Sequence, residues 1–242
     1  MKNKKHKEKH KEKHKEKHKE KHKDKETEKD YNYQVDVLVQ SIYNNYLFFI
    51  ALLMCLYKFK QNPNYNTSYI GLIISFFIMS ILGYFSHYVA HSINFTDYLK
   101  NTNNIFMGNK YTGPIIKYSV KFLDFHDIIH HDTSINKQIL NIVYEFINNV
   151  ILQGLALVIF IKLIDIRVAI LWAFMYATIH NINFLFINPT THRDHHIDNH
   201  TNYGIDFCDI LFNSKYDWND IEIYNHGAIN IFIISYIINA FT

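Results

Sequence analysis

Long apolar runs alternate with histidine clusters along this chain, and one fold has to accommodate both. The runs are Val37–Tyr57, Ser68–Ala90, Ile139–Leu163 and Val168–Ile187. Each reaches the roughly 20 helical residues that a bilayer core requires. Beside them stand nine histidines: His87 and His91; His126, His130 and His131; His180; and His192, His195 and His196. Helical i, i+4 spacing stacks two imidazoles on one face, where they can share an ion. The adjacent second histidine of an HH pair lies about 100° further round a helix, free to reach a second ion. Neutral imidazole is the commonest metal ligand in proteins. The pattern predicts a site for two metal ions held by all nine.

Topology brings the clusters together. The link KFKQNPNYNTS joins the first two runs, and Ile164–Asp165–Ile166–Arg167 joins the last two, so the runs form two hairpins. With a basic N-terminus on the cytosolic side, the first run goes out and the second returns with His87 and His91. The third goes out and the fourth returns with His180, followed at once by His192, His195 and His196. All nine histidines then meet at one membrane face. The expected fold is an all-α integral membrane protein with about four transmembrane helices and a cytosolic histidine-rich cap.

Residues 1–30 belong to another regime. They repeat Lys-His-Lys-Glu and contain no aliphatic or aromatic residue after Met1. Such a segment cannot bury a core and reads as a disordered, solvated tail. It carries 14 Lys against 8 acidic residues, while the whole chain is at +3. The body, residues 31–242, is therefore net acidic, and the basic balance offers no argument for nucleic-acid binding. The tail histidines His6, His10, His14, His18 and His22 read as part of a charged arm. Cys55 and Cys208 make no disulfide framework, and no cleavable signal peptide is expected. The many asparagines read as a compositional bias rather than as chemistry.

Several further residues bear on the site. Asp127, Asp132 and Asp194 adjoin the histidines as candidate acceptors for imidazole N–H groups, or as surface carboxylates. Glu145 sits inside the third apolar run, where an ionisable residue is a functional-site candidate; its other reading is a side chain reaching to water or to a histidine N–H. His200 is a candidate tenth ligand or a cap, and His226 a turn residue. Asn202, Tyr203 and Gly204 read as a structural turn, and Asp206 and Asp209 as residues that cap or brace the cap region. Residues 101–125 read as a loop with a short amphipathic surface helix. Ala228–Phe241 reads as a helix packed on the domain or lying in the membrane interface.

The segments SHYVAH, FHDIIHH and THRDHH, followed by NYGIDFCDILFNSKYD, resemble the fatty acid hydroxylase/sterol desaturase superfamily over roughly residues 70–217. The resemblance implies a four-helix membrane scaffold, a di-iron centre (zinc being possible in the isolated protein), O2 as co-substrate, and electrons from a cytochrome b5-type donor. No cytochrome b5 domain is present in the sequence, so that donor is expected to be external. Three positions depart from the family pattern: Tyr176 stands where fatty acid 2-hydroxylases carry a further histidine, and Cys208 and Asn213 replace a Trp and a Gly. The expected activity is hydroxylation of a fatty acyl, sterol or related lipid at the cytosolic face of an endoplasmic reticulum-like membrane. The alternatives are a desaturase of the same superfamily, acting on plasmalogen-type or sterol substrates, and an inert membrane metal-binding scaffold. A metal transporter fits less well, because transport sites lie near the midplane.

Overall fold

The apolar runs fold as helices, and no strand occurs among the described residues. The computed structural model describes residues 31–101, 109–126, 130–131, 139–155 and 164–242. The histidine-bearing part is one compact unit, Val37–Thr242. In chain order the helices are α1 (Tyr31–Asn44), α2 (Tyr46–Lys60), α3 (Tyr69–Ser92), α4 (Phe95–Asn101) and α5 (Thr112–Leu123). Then follow α6 (Ile139–Asn148), continued by a π-helical stretch Asn149–Leu155, and α7 (Ile166–Ile182), continued by a π turn Asn183–Ile187. Three helices close the chain: α8 (Thr190–Ile197), α9 (Asp206–Leu211) and α10 (Gly227–Phe241).

Two of these helices are long and apolar enough to cross a membrane, Tyr69–Ser92 and Ile166–Ile187. A third candidate is the pair Tyr33–Asn44 and Tyr46–Lys60, bent by 72°. The first expected span is thus broken at Asn45. The break has a hydrogen-bonding cause. Asn45 is fully buried, and its amide donates to the Ser41 carbonyl at 3.0 Å and the Glu222 carbonyl at 2.8 Å. Its Oδ1 accepts from Tyr224 N at 2.7 Å. Asn225 answers from the other side, donating to the Asn44 carbonyl at 2.6 Å and accepting from Phe48 N at 3.3 Å. Backbone groups released by the bend find partners this way, as buried polar groups must. The third expected span is described as far as Leu155; residues 156–163 lie outside the described residues, as does the tail, 1–30.

The long helices α3 and α7 run in the same direction from one anchored end. Ser68 caps α3, accepting from Gly71 N at 3.0 Å, and Asp165 caps α7, accepting from Arg167 N at 3.0 Å. The Asp165 carboxylate also receives the buried Arg167 guanidinium at 2.7 Å and the Thr67 hydroxyl at 2.7 Å. Asp165 N donates to Ser75 Oγ at 3.1 Å, and Arg167 donates to the Phe59 carbonyl at 2.6 Å. One ion pair therefore ties the end of α2 to the starts of α3 and α7. The 24 residues of α3 then extend about 36 Å to the histidine end.

Packing centres on α7, which touches α3, α10 and the π-helical continuation of α6. Small residues set the closest approach. A Cβ on Gly154 would lie 2.2 Å from Ala173 Cβ, and Ala169, Ala173 and Ala177 are fully buried at i, i+4 spacing. Such contacts let helix backbones approach closely where lipid removes the hydrophobic drive. Helix α2 turns Phe48, Leu52, Leu56 and Phe59 inward, and leaves Ile50, Leu53, Met54 and Tyr57 exposed. Helix α10 packs on α2 and α7 but exposes Phe232, Ile233, Tyr236 and Ile237. Helices that are apolar all round need apolar surroundings on the outer face too. The surface helix expected in 101–125 is α5, with Val120 buried and Ile115 and Tyr118 exposed. Gly154→Ala is expected to force α6 and α7 apart and destabilise the fold by about 1–3 kcal/mol. The measurement is the melting temperature of the detergent-solubilised protein; an unchanged value would contradict this packing.

Candidate metal centre

Each histidine reaches the cluster from a defined element. His87 and His91 occupy the last two turns of α3, and His180 the last turn of α7. The short helix α8 carries His192, His195 and His196. His126 follows α5, whose end is held by Asp124. That buried carboxylate accepts from Phe95 N at 2.9 Å and Thr96 N at 2.7 Å, tying α4 to α5. His130 and His131 lie close by.

All nine expected residues come together, and eight of them fall into groups whose ligand atoms could hold a metal ion. His87, His91, His126 and His195 form one; His130, His192 and His196 form another. The split follows the spacing rule for two of the three i, i+4 pairs and departs from it at His126 and His130, which fall in different groups. The i, i+4 pairs His87/His91 and His192/His196 each stay within one group. The neighbours His195 and His196 face different groups. His131 lies between, its ring 4.6 Å from His91 and 4.4 Å from His196. The ring of His180 lies 4.8 Å from His130 and 5.1 Å from His192, and it forms a third group with His126 and Glu145.

Hydrogen bonds fix which nitrogen faces inward. His87 Nδ1 lies 2.6 Å from the Tyr203 carbonyl, and His195 Nδ1 2.6 Å from the Thr201 carbonyl. His126 Nδ1 lies 2.9 Å from Glu145 Oε1. A carbonyl or carboxylate can only accept, so each Nδ1 is the donor and each Nε2 carries a lone pair. Those lone pairs converge. His87 Nε2 is 2.9 Å from His126 Nε2, and His196 Nε2 is 3.1 Å from both His130 Nε2 and His192 Nε2. Ligands at right angles around an ion, at metal–nitrogen distances of about 2.1 Å, sit about 3.0 Å apart. The buried Nε2 atoms of His131 and His195 have no hydrogen-bond partner among the described residues. Converging imidazole nitrogens, two of them without a partner, could hold a metal ion.

The protonation state agrees. Burial, and then the crowding of like neighbours, holds His130, His192 and His195 well below the usual imidazole range. The same causes bring the more accessible His196 down to about 4. These rings are neutral at physiological pH, the form that binds metal.

The turn after α8 accounts for the two carbonyl acceptors. Asn202, at φ 52°, donates to the Thr191 carbonyl at 3.0 Å and accepts from Tyr216 N at 3.1 Å. Asp209 accepts from Tyr203 N at 2.8 Å, Gly204 N at 3.0 Å and the Ser214 hydroxyl at 2.7 Å. The backbone so held aims the carbonyls of residues 201 and 203 at His195 and His87. Asn202–Gly204 is the expected structural turn, and Asp209 braces it. Asp206 pairs with Lys215. Tyr176 places its phenol oxygen 3.0 Å from His87 Nδ1, so it touches the site. A cavity beside the cluster is lined by Tyr176, His180, Asn202, Glu222 and Tyr224 among others. Burial, reinforced by Asp206 and Asp209, pushes the Glu222 carboxyl up to about 8.

Other expectations sort as follows. Asp127 and Asp132 lie outside the described residues. Among the described residues, Glu145 and the carbonyls of Tyr203 and Thr201 serve as imidazole acceptors. His200 is exposed, with Nδ1 3.4 Å from the Tyr203 hydroxyl, and it joins neither histidine group. His226 sits in the turn before α10. The comparisons add nothing to this picture: no family model, no curated protein and no solved structure matches the chain.

Asp209→Asn is expected to loosen the acceptors of His87 and His195 but leave His130, His192 and His196 in place. Affinity for one of two zinc ions should fall about 10–100-fold in a chelator competition on the purified protein. Equal loss of both ions would contradict the route through the turn.

Proposed function

We propose that this chain is an integral-membrane, O2-dependent di-iron lipid oxidase, a hydroxylase of fatty acyl, sterol or related lipids. The observation that carries the reading is the convergence of imidazole Nε2 atoms into two adjacent groups at the ends of two membrane-length helices. Imidazole suits iron, and histidine-only groups leave coordination positions open. Iron held there would supply O2 activation and oxidation of an unactivated C–H bond.

The chain's own residues do the rest. Tyr203, Thr201 and Glu145 orient three of the rings through Nδ1. Burial keeps rings neutral and water scarce around the cluster. The helices that carry His87, His91 and His180 are the ones suited to a bilayer, so the cluster lies at the membrane boundary, where a lipid chain is at hand. The bent α1–α2 pair is the third crossing in this reading, and the apolar run of the sequence that begins with α6 the fourth. The histidines and the tail then face the cytosol of an endoplasmic reticulum-like membrane. Hydroxylation consumes O2, two protons and two electrons and releases water, so the reading requires an external donor such as cytochrome b5.

The test is comparative lipidomics. The chain and its His195→Ala/His196→Ala variant are expressed with a compatible reductase. A lipid gaining the mass of one oxygen atom only with the intact histidines is the expected result. Loss of two hydrogens instead would make the enzyme a desaturase. No lipid change, with both proteins folded and the wild type loaded with iron, would overturn the oxidase reading in favour of an inert metal scaffold.

A further inference from the structure

Glu145 enters the histidine cluster from α6, a helix otherwise made of apolar residues and asparagines. The residue is 3% exposed. Its Oε1 lies 2.9 Å from His126 Nδ1 and 3.6 Å from His130 Nδ1. The same oxygen lies 3.4 Å from His180 Nε2 and accepts from Asn149 Nδ2 at 3.1 Å. Its Oε2 is buried without a hydrogen-bond partner among the described residues. A buried carboxylate is costly unless charge or hydrogen bonds compensate it.

The geometry places this oxygen behind both metal groups at once. His126 turns Nε2 toward His87 and Nδ1 toward Glu145; His130 turns Nε2 toward His196 and Nδ1 toward the same oxygen. The two rings stack at 4.9 Å with planes 17° apart. One belongs to the first group and the other to the second. Imidazole ligands bring no negative charge to two cations, whereas the Glu145 carboxylate brings one. An acceptor on the far nitrogen also raises the basicity of the ligating nitrogen.

We propose that Glu145 is a positioning residue shared by the two metal sites: its carboxylate faces Nδ1 of His126 and of His130, aims both Nε2 atoms inward and supplies buried counter-charge to both ions. The proposal rests on the metal reading above but not on the oxidase activity. It differs from the role of Asp209, which reaches only the His87 and His195 side.

The test uses the full chain in detergent, with zinc alone as the probe. Wild type is expected to bind two zinc ions, and Glu145→Gln to weaken both by about 10–100-fold in chelator competition. Two ions held by Glu145→Gln with wild-type affinity would overturn the proposal alone, and so would weakening of one ion only. Wild type that takes up no zinc would overturn the metal reading and the proposal with it. Should the variant fail to fold, 15N-histidine NMR of the zinc-loaded wild type decides. Nδ1–H with zinc on Nε2 is expected for both His126 and His130; zinc on Nδ1 of either ring overturns the proposal.

Discussion

The structure depends on donation of imidazole Nδ1–H groups to oxygens that cannot move. Once Nδ1 is committed to the Tyr203 carbonyl, the Thr201 carbonyl or Glu145, the lone pair sits on Nε2 and points into the cluster. The lone pairs of His87 and His126 then face one another at 2.9 Å. That arrangement is repulsive in itself, and a cation would relieve it. The protein therefore has to hold its rings by the far side, and much of the fold between α3 and α9 does this.

The scaffold supplies rigidity from the opposite end. Arg167 and Asp165 are a buried pair, and such pairs are a weak source of net stability. Their value here is register. They join α2, α3 and α7 at one level, so that His87, His91 and His180 arrive at a common level at the other. Between the two ends, the contact of Gly154 with Ala173 and the alanine stripe of α7 bring α6 close, and with it Glu145. A charged staple, a tight waist and a histidine end are three levels of one helical bundle.

The grouping of the histidines was legible from spacing in part: His87/His91 and His192/His196 stay together and His195 and His196 part company, but His126 and His130, also four residues apart, fall in different groups. Glu145 was legible as an ionisable residue in an apolar run, though not which of its two readings would hold. The break at Asn45 was not legible, because hydropathy averages over a single asparagine. Asparagines that read as compositional bias turn out to carry structure: Asn45 and Asn225 satisfy the bend, and Asn202 shapes the turn behind the site. The carbonyls of residues 201 and 203 were beyond reach, since side-chain patterns do not report backbone acceptors. The use of Asp209 became visible only with Tyr203 N and Gly204 N on its oxygens.

The most direct test of this account is X-ray absorption at the metal edge, combined with metal analysis of the purified full chain after iron or zinc loading. The account predicts two ions per chain, each with a shell of imidazole nitrogens at about 2.1 Å and multiple-scattering features from histidine rings. A folded protein that holds one ion or none, or whose ions are surrounded mainly by sulfur or carboxylate oxygen, would contradict it.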